Sequence, residues 1–359
     1  MATVDPQRFI HWLKEQNLYQ KADENHKYFR PIFADLMKIR RKDELLIAGD
    51  LGIDGKKCAP LMTGCYVLCA KRMGLSYKLV LQNPKNTKDS ADQGLVGALD
   101  RLHEDSYLVI ALSGKMGSLK KLGKSFRKLA KQKRFRFVST PRLSELPNTR
   151  FSGLVDAINI DYRSLQIEAR RLERTLSMGK EVRIYTDAGT SLRMKINGMQ
   201  AIANDGRNYD TFGGNIPLGE VYMPPRNDQV EGKVVIDGSL RTKYGTHLLQ
   251  NPVTLFVEKG VVTRITGNTE GVRRLRETLE WAEKKSKYHW GVRRIGELGI
   301  GINPNAEIIG PTIVNEKAKH TAHIAIGSNA WFGGSIYSII HLDQVFRNPR
   351  ILVDGKRIR

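Results

Sequence analysis

The chain has 359 residues, 40% of them apolar and 27% charged. This balance excludes a disordered polymer, and no apolar run nears the ~20 residues that a membrane helix needs. Lys plus Arg number 59 against 37 Asp plus Glu, a net charge of +22 that favours polyanionic partners and says nothing of the fold.

The length exceeds the roughly 250–300 residues at which one core stops growing, which predicts two domains. The start, MATVDPQRFIHWLKEQ, has no apolar leader, so the expected address is the cytoplasm. Residues 6–20 and 26–41 carry apolar side chains at helical spacing. LLIAGD (45–50) is a buried-strand pattern, followed by an apolar helix holding Cys58, Cys65 and Cys69. An odd, small number of cysteines excludes a disulfide scaffold and is read as buried, reduced thiols. Strand-like YKLVLQ (77–82), a helix near 91–104, strand-like YLVIAL (107–112), a basic helix and strand-like RFRFVST (134–140) continue the alternation. Strands and helices in this order predict a parallel sheet with helices on its faces. A helix over 161–178 ends the half, with Gly179 in the C-terminal cap position.

From about 181 short strands follow closely: VRIYTD, TSLRMKI, GKVVIDGS and TLFVEKGVVTRIT, the last turning at Glu258-Lys259-Gly260. One helix, 271–287, interrupts them. The expected architecture is an α/β domain over 1–180 and a β-rich α+β metal-binding domain over 181–359.

Two phosphate-loop look-alikes fail on spacing. In ALSGKMGSLKKLGKS (111–125), Gly117 and Gly123 have five residues between them where the loop requires four. GDLGIDG (49–55) lacks dinucleotide spacing, and its aspartates would repel a pyrophosphate. Between Lys115 and Arg142 lie eleven Lys/Arg and no acid. This segment is read as a solvated face, with an RNA, ribosome or other polyanion contact as the alternative. Phe126, Phe135 and Phe137 within it are assigned to the core.

Chemistry concentrates in the last third. In GELGIG (296–301), Glu297, Gly299 and Gly301 share a strand face; in HIAIG (323–327), His323, Ala325 and Gly327 do; in IHLDQV (340–345), His341 and Asp343 do. Each strand gives aliphatic residues to a core and sets a metal-ligand type among residues too small to fill space. Glu220, in the Gly/Pro-dense GGNIPLGEVYMPP (213–225), and Glu316, in NEKAKHTAH, join the set. The alternative for Glu316 is a surface charge paired with Lys317 or Lys319. A set this rich in carboxylates suits two divalent ions sharing a bridging water, and hence amide hydrolysis.

These segments resemble the aminopeptidase T family of metalloaminopeptidases, nearest its archaeal leucyl aminopeptidase-like members. GNIPLGEV resembles the family's Asn-(Leu/Ile)-Pro-x-Gly-Glu-Val, IGELGIG its Leu-Gly-Glu, NEKAKHTAHIAIG its Asp-Glu-Asn-Ala…His-x-Ala-x-Gly, and IHLDQV its His-x-Asp. The likeness covers about 180–359. It implies a usually dimeric exopeptidase for small peptides with two zinc, cobalt or manganese ions. Carried over, Glu220, Glu297, Glu316, His323, His341 and Asp343 would hold the metal, with Glu297 or Glu316 shuttling the proton. The family's active-site Tyr falls at Ala330, which passes oxyanion stabilisation to Asn329. A related branch resembles 2,5-dihydroxypyridine ring-cleaving dioxygenases, for which His323, His341 and Asp343 would hold one Fe(II). A non-catalytic RNA- or ribosome-associated protein on the same scaffold is the third reading.

Overall fold

A computed structural model describes residues 3–86, 89–123, 125–267 and 269–358. The chain forms two compact units, one of residues 1–159 with 206–217 and one of 160–205 with 218–359. The crossing at 159–160 lies one helix before the change of sequence texture at 179–181.

The first unit opens with α1 (Pro6–Glu15), whose N-cap Asp5 accepts a hydrogen bond from the Gln7 amide at 2.9 Å. After α2 (Tyr19–Asn25), the helix expected over 26–41 is instead a 3-10 turn at 26–29 and a π turn at 32–36. Pro31 lies between them; it lacks an N–H and crowds the preceding turn, so a regular ladder cannot run through. The alternation then follows as expected: β1 (Leu45–Asp50), α3 (Cys58–Arg72), β2 (Tyr77–Gln82), α4 (Gln93–Arg101), β3 (Tyr107–Ala111), α5 (Phe126–Gln132) and β4 (Arg136–Thr140). These strands are parallel, in the order β2-β1-β3-β4. The three cysteines are buried and free on α3. Phe135 and Phe137 are core residues, with Phe126 set edge-on to Phe137. The basic run is partly neutralised within its own unit: Lys121 pairs with Asp100, Arg134 with Asp105, and Lys133 caps the carbonyls ending α4. Lys124, the lysine of the rejected phosphate loop, lies outside the described residues. A short helix, α6 (Phe151–Ile158), escaped the sequence reading.

The second unit begins with α7 (Tyr162–Met178), capped by Asp161, which accepts from the Arg163 and Ser164 amides. Gly179 does follow it, but with φ −74° rather than in the left-handed cap expected of glycine. Its lack of a side chain serves space instead, since a Cβ there would run into Val353. Next come β5 (Glu181–Tyr185), β6 (Ser191–Lys195) and β7 (Ile202–Asn204); β8 (Gly213–Asn215) returns to the first unit, where it extends the sheet beside β4. The chain continues with β9 (Glu220–Met223), β10 (Val230–Ile236), β11 (Ser239–Thr242), β12 (Gly245–Leu248), β13 (Val253–Glu258) and β14 (Val261–Gly267). It ends with α8 (Thr269–Lys285), β15 (Ile295–Gly301), α9 (Thr312–Asn315), β16 (Thr321–Gly327), β17 (His341–Arg347), β18 (Arg350–Val353) and β19 (Lys356–Arg357). The β13–β14 hairpin turns through Lys259 and Gly260, both at positive φ, as tight hairpins require. Two sheets result, β14-β13-β10-β6-β5-β18-β19 and β12-β11-β17-β16-β15-β9-β7. Among the described residues no helix is long and apolar enough to cross a membrane.

Candidate metal centre

Four adjacent strands of the last sheet, β17-β16-β15-β9, carry the expected side chains. The antiparallel register sets Glu297 opposite Ala325 and Ala325 opposite Asp343, in one line across three strands. Gly299 faces His323, Gly327 faces His341, and Gly301 faces Glu220. Adjacent strands lie about 4.8 Å apart, so residues in such rows meet on one face. The small residues of the sequence pattern are thus the neighbours of the polar ones, across the strand as well as along it.

His323 Nε2 lies 3.0 Å from Glu297 Oε1 and 3.7 Å from Glu220 Oε2. His341 Nε2 lies 3.0 Å from Asp343 Oδ1 and 3.5 Å from Glu297 Oε2. His341 Nδ1 donates to the Ser328 carbonyl at 2.8 Å; a carbonyl only accepts, so Nε2 is the nitrogen turned into the site. Glu316, at the end of α9, completes the gathering. Ligand atoms of Glu297, His323 and Asp343 lie within 4.8 Å of one another, as do those of Glu220, Glu316 and His323.

Lys317 lies among these acids. Its ammonium touches one oxygen of Glu220 and one of Glu316, and the residue is 1% exposed. The pairing of Glu316 with Lys317 is therefore present, but buried in the site rather than on the surface. The sequence departs from the resembled segment at this point: NEKA has a lysine where that segment has the asparagine of Asp-Glu-Asn-Ala.

Asn329, expected to stabilise an oxyanion, has its side chain engaged by main-chain groups. Its amide donates to the Gly296 carbonyl at 2.9 Å and its oxygen accepts from the Ile336 amide at 2.7 Å. The side chain ties the 329–336 turn to β15. Two further buried asparagines, absent from the sequence reading, act alike. Asn303 donates to the Leu218 carbonyl and accepts from the Asn305 and Ala306 amides; Asn315 bridges Ile309 and Gly310. Together they hold the loops that present Glu220 and Glu316.

The electrostatics follow from burial and mutual charge. Burial would lower both imidazoles, but the Glu297 hydrogen bond and nearby carboxylates lift His323 to about 9. The Asp343 charge likewise lifts His341 to about 10. Burial raises Asp343, yet the facing imidazoles outweigh it and hold that carboxyl below its ordinary value. Glu297 is raised by burial, against its bond to His323. Burial raises Glu316 to about 8, with Lys317 opposing. Lys317 would be lowered by burial, but Glu220 and Glu316 hold its ammonium above the usual range.

The donor set fits a cation. Asp343 Oδ1 is buried, close to His341 Nε2, yet without hydrogen-bond alignment among the described residues. Two donors brought together but not aimed at each other suit a shared third body. Beside them Trp331 stands edge-on to His341 with ring centroids 4.6 Å apart, and Phe332 packs on Trp331 and Tyr222.

The sequence profile of a family described as NicX, 2,5-dihydroxypyridine 5,6-dioxygenase, matches residues 160–359. The chain belongs to the NicX family. This NicX-family chain is also similar in fold to the 2,5-dihydroxypyridine dioxygenase of Pseudomonas putida KT2440, with a TM-score of 0.69 and 18% identity over 94% of this chain and 95% of that one. Wild-type AmpT from Thermus thermophilus matches with a TM-score of 0.59 and 14% identity, over 95% of this chain and 100% of AmpT. No curated protein sequence matches it. The fold is thus shared with AmpT.

Proposed function

We propose that this chain is an iron(II)-dependent dioxygenase that opens a hydroxylated aromatic ring. The observation that carries the reading is the placing of His323 on β16 and of His341 and Asp343 on β17 along one face of two adjacent strands, with His341 Nε2 3.0 Å from Asp343 Oδ1. Two imidazoles and one carboxylate are the donor set of non-haem ferrous oxygenases, whereas paired hydrolytic ions want more free carboxylates. Here Glu220 and Glu316 both face Lys317. Membership of the NicX family and the similarity to the Pseudomonas putida dioxygenase support the ring-cleaving class.

A ferrous ion held by the three side chains would supply the one-electron chemistry through which dioxygen reacts with a ring. The protein's own groups do the rest. His341 is kept in its binding tautomer by the Ser328 carbonyl. Glu297 holds His323 in place through Nε2. Glu316, which burial raises and Lys317 opposes, is the carboxyl assigned to exchange a proton with a ring hydroxyl. Trp331, backed by the buried Phe332, offers aromatic surface beside His341 for a planar substrate.

The test is oxygen uptake by ferrous-loaded protein given 2,5-dihydroxypyridine and related dihydroxylated rings. Uptake that tracks ring loss, and vanishes in Asp343→Ala, is expected. Release of an aminoacyl chromophore without oxygen consumption would replace this reading with the hydrolytic one.

A further inference from the structure

We propose that Lys317 is a tethered cation that takes the place of a second metal ion and limits the centre to one ion per chain. The inference rests on the reading of this cluster as a metal centre and concerns how many ions it admits.

Two three-donor groups share His323: Glu297 and Asp343 complete one, Glu220 and Glu316 the other. A pair of neighbouring cation positions is therefore laid out on the sheet face. The two positions differ in one respect. In the group of Glu297, His323 and Asp343, the acids pair with imidazoles and, among the described residues, with no lysine or arginine. In the other, Lys317 contacts both carboxylates. A divalent ion there would need the same oxygens and would meet the ammonium at close range in a buried medium, where like charges repel strongly. Removing the ammonium would leave two buried carboxylates with no compensating charge nearby, which is a binding site for a cation.

The ammonium is held in place by its backbone. The Lys317 amide donates to the Val314 carbonyl at 3.1 Å, and its carbonyl accepts from the Asn303 amide at 2.9 Å. Gly301 lets this backbone approach β15, since a Cβ at that position would overlap Lys317 and Ala318 main-chain atoms. Withdrawal of the side chain would require this packed segment to move.

The experiment counts ions. Metal-stripped full-length protein is dialysed against Mn2+ and analysed for manganese, with electron paramagnetic resonance to separate isolated from spin-coupled ions. One isolated ion per wild-type chain, and two coupled ions in Lys317→Ala or the isosteric Lys317→Met, is the expected result. Two ions in wild type, or one ion in folded variants, overturns the proposal. A folded wild type that binds none overturns the metal reading as well. Should neither variant fold, wild type decides: a second ion at millimolar Mn2+ refutes the role of Lys317, and its absence supports it.

Discussion

Gly299 on β15 lies directly opposite His323 on β16, and the imidazole fills the space that a β-carbon at Gly299 would take. The glycine is thus a condition for the histidine's position. Gly299→Ala must push His323 off its line with Glu297. The expected cost is about 1–3 kcal/mol of stability from overpacking, with metal affinity falling roughly 10–100-fold, as when ligand-orienting contacts are lost. Thermal melts of metal-free protein and metal titrations measure the two effects. A variant with wild-type affinity would show that His323 does not bind from this position.

Asn329→Ala should act on stability. It removes bonds to the Gly296 carbonyl and Ile336 amide and leaves both buried partners short of one. Urea unfolding should show a loss of about 2–4 kcal/mol, with the metal count unchanged. Turnover lost at unchanged stability would restore a catalytic role.

Metal uptake should release protons. In the metal-free chain His323 at about 9 and His341 at about 10 are both charged at neutral pH. A cation must displace those protons, so affinity rises with pH up to this range. The sign for stability is the reverse. Folded values raised above the unfolded imidazole stabilise the metal-free fold fully below about pH 6.5. That contribution is lost as pH climbs through 9 and 10. Calorimetry in buffers of different ionisation enthalpy counts the protons, and melts from pH 6 to 10 follow the stability. Affinity independent of pH would contradict the charged state of the imidazoles.

Trp331 is 59% exposed beside His341, so its removal should hardly touch the fold. Trp331→Ala is expected to change stability by no more than about 0.5 kcal/mol. If the indole receives a planar ring, KM should rise by roughly 2–10-fold, the value of one aromatic contact, with kcat kept. An unchanged KM would place the ring elsewhere.

Much of the centre was legible before any coordinates. Strand side chains alternate with a period of two, a local property, so Glu297 with Gly299, His323 with Ala325, and His341 with Asp343 could be assigned to shared faces from their spacing alone. The parallel α/β half was legible for a similar reason, because apolar runs of strand length alternate with helical ones. Strands of three or four residues, such as β7, β9 and β11, are too short to carry a period and passed unseen. The return of residues 206–217 to the first unit, and the burial of Lys317 against Glu220 at 97 positions' distance, have no local signature at all. A charge in a sequence does not declare its partner. Whether a lysine is a solvated surface group or an ion locked between two acids is settled when distant segments pack and water leaves, as they do around Lys317, Glu220 and Glu316.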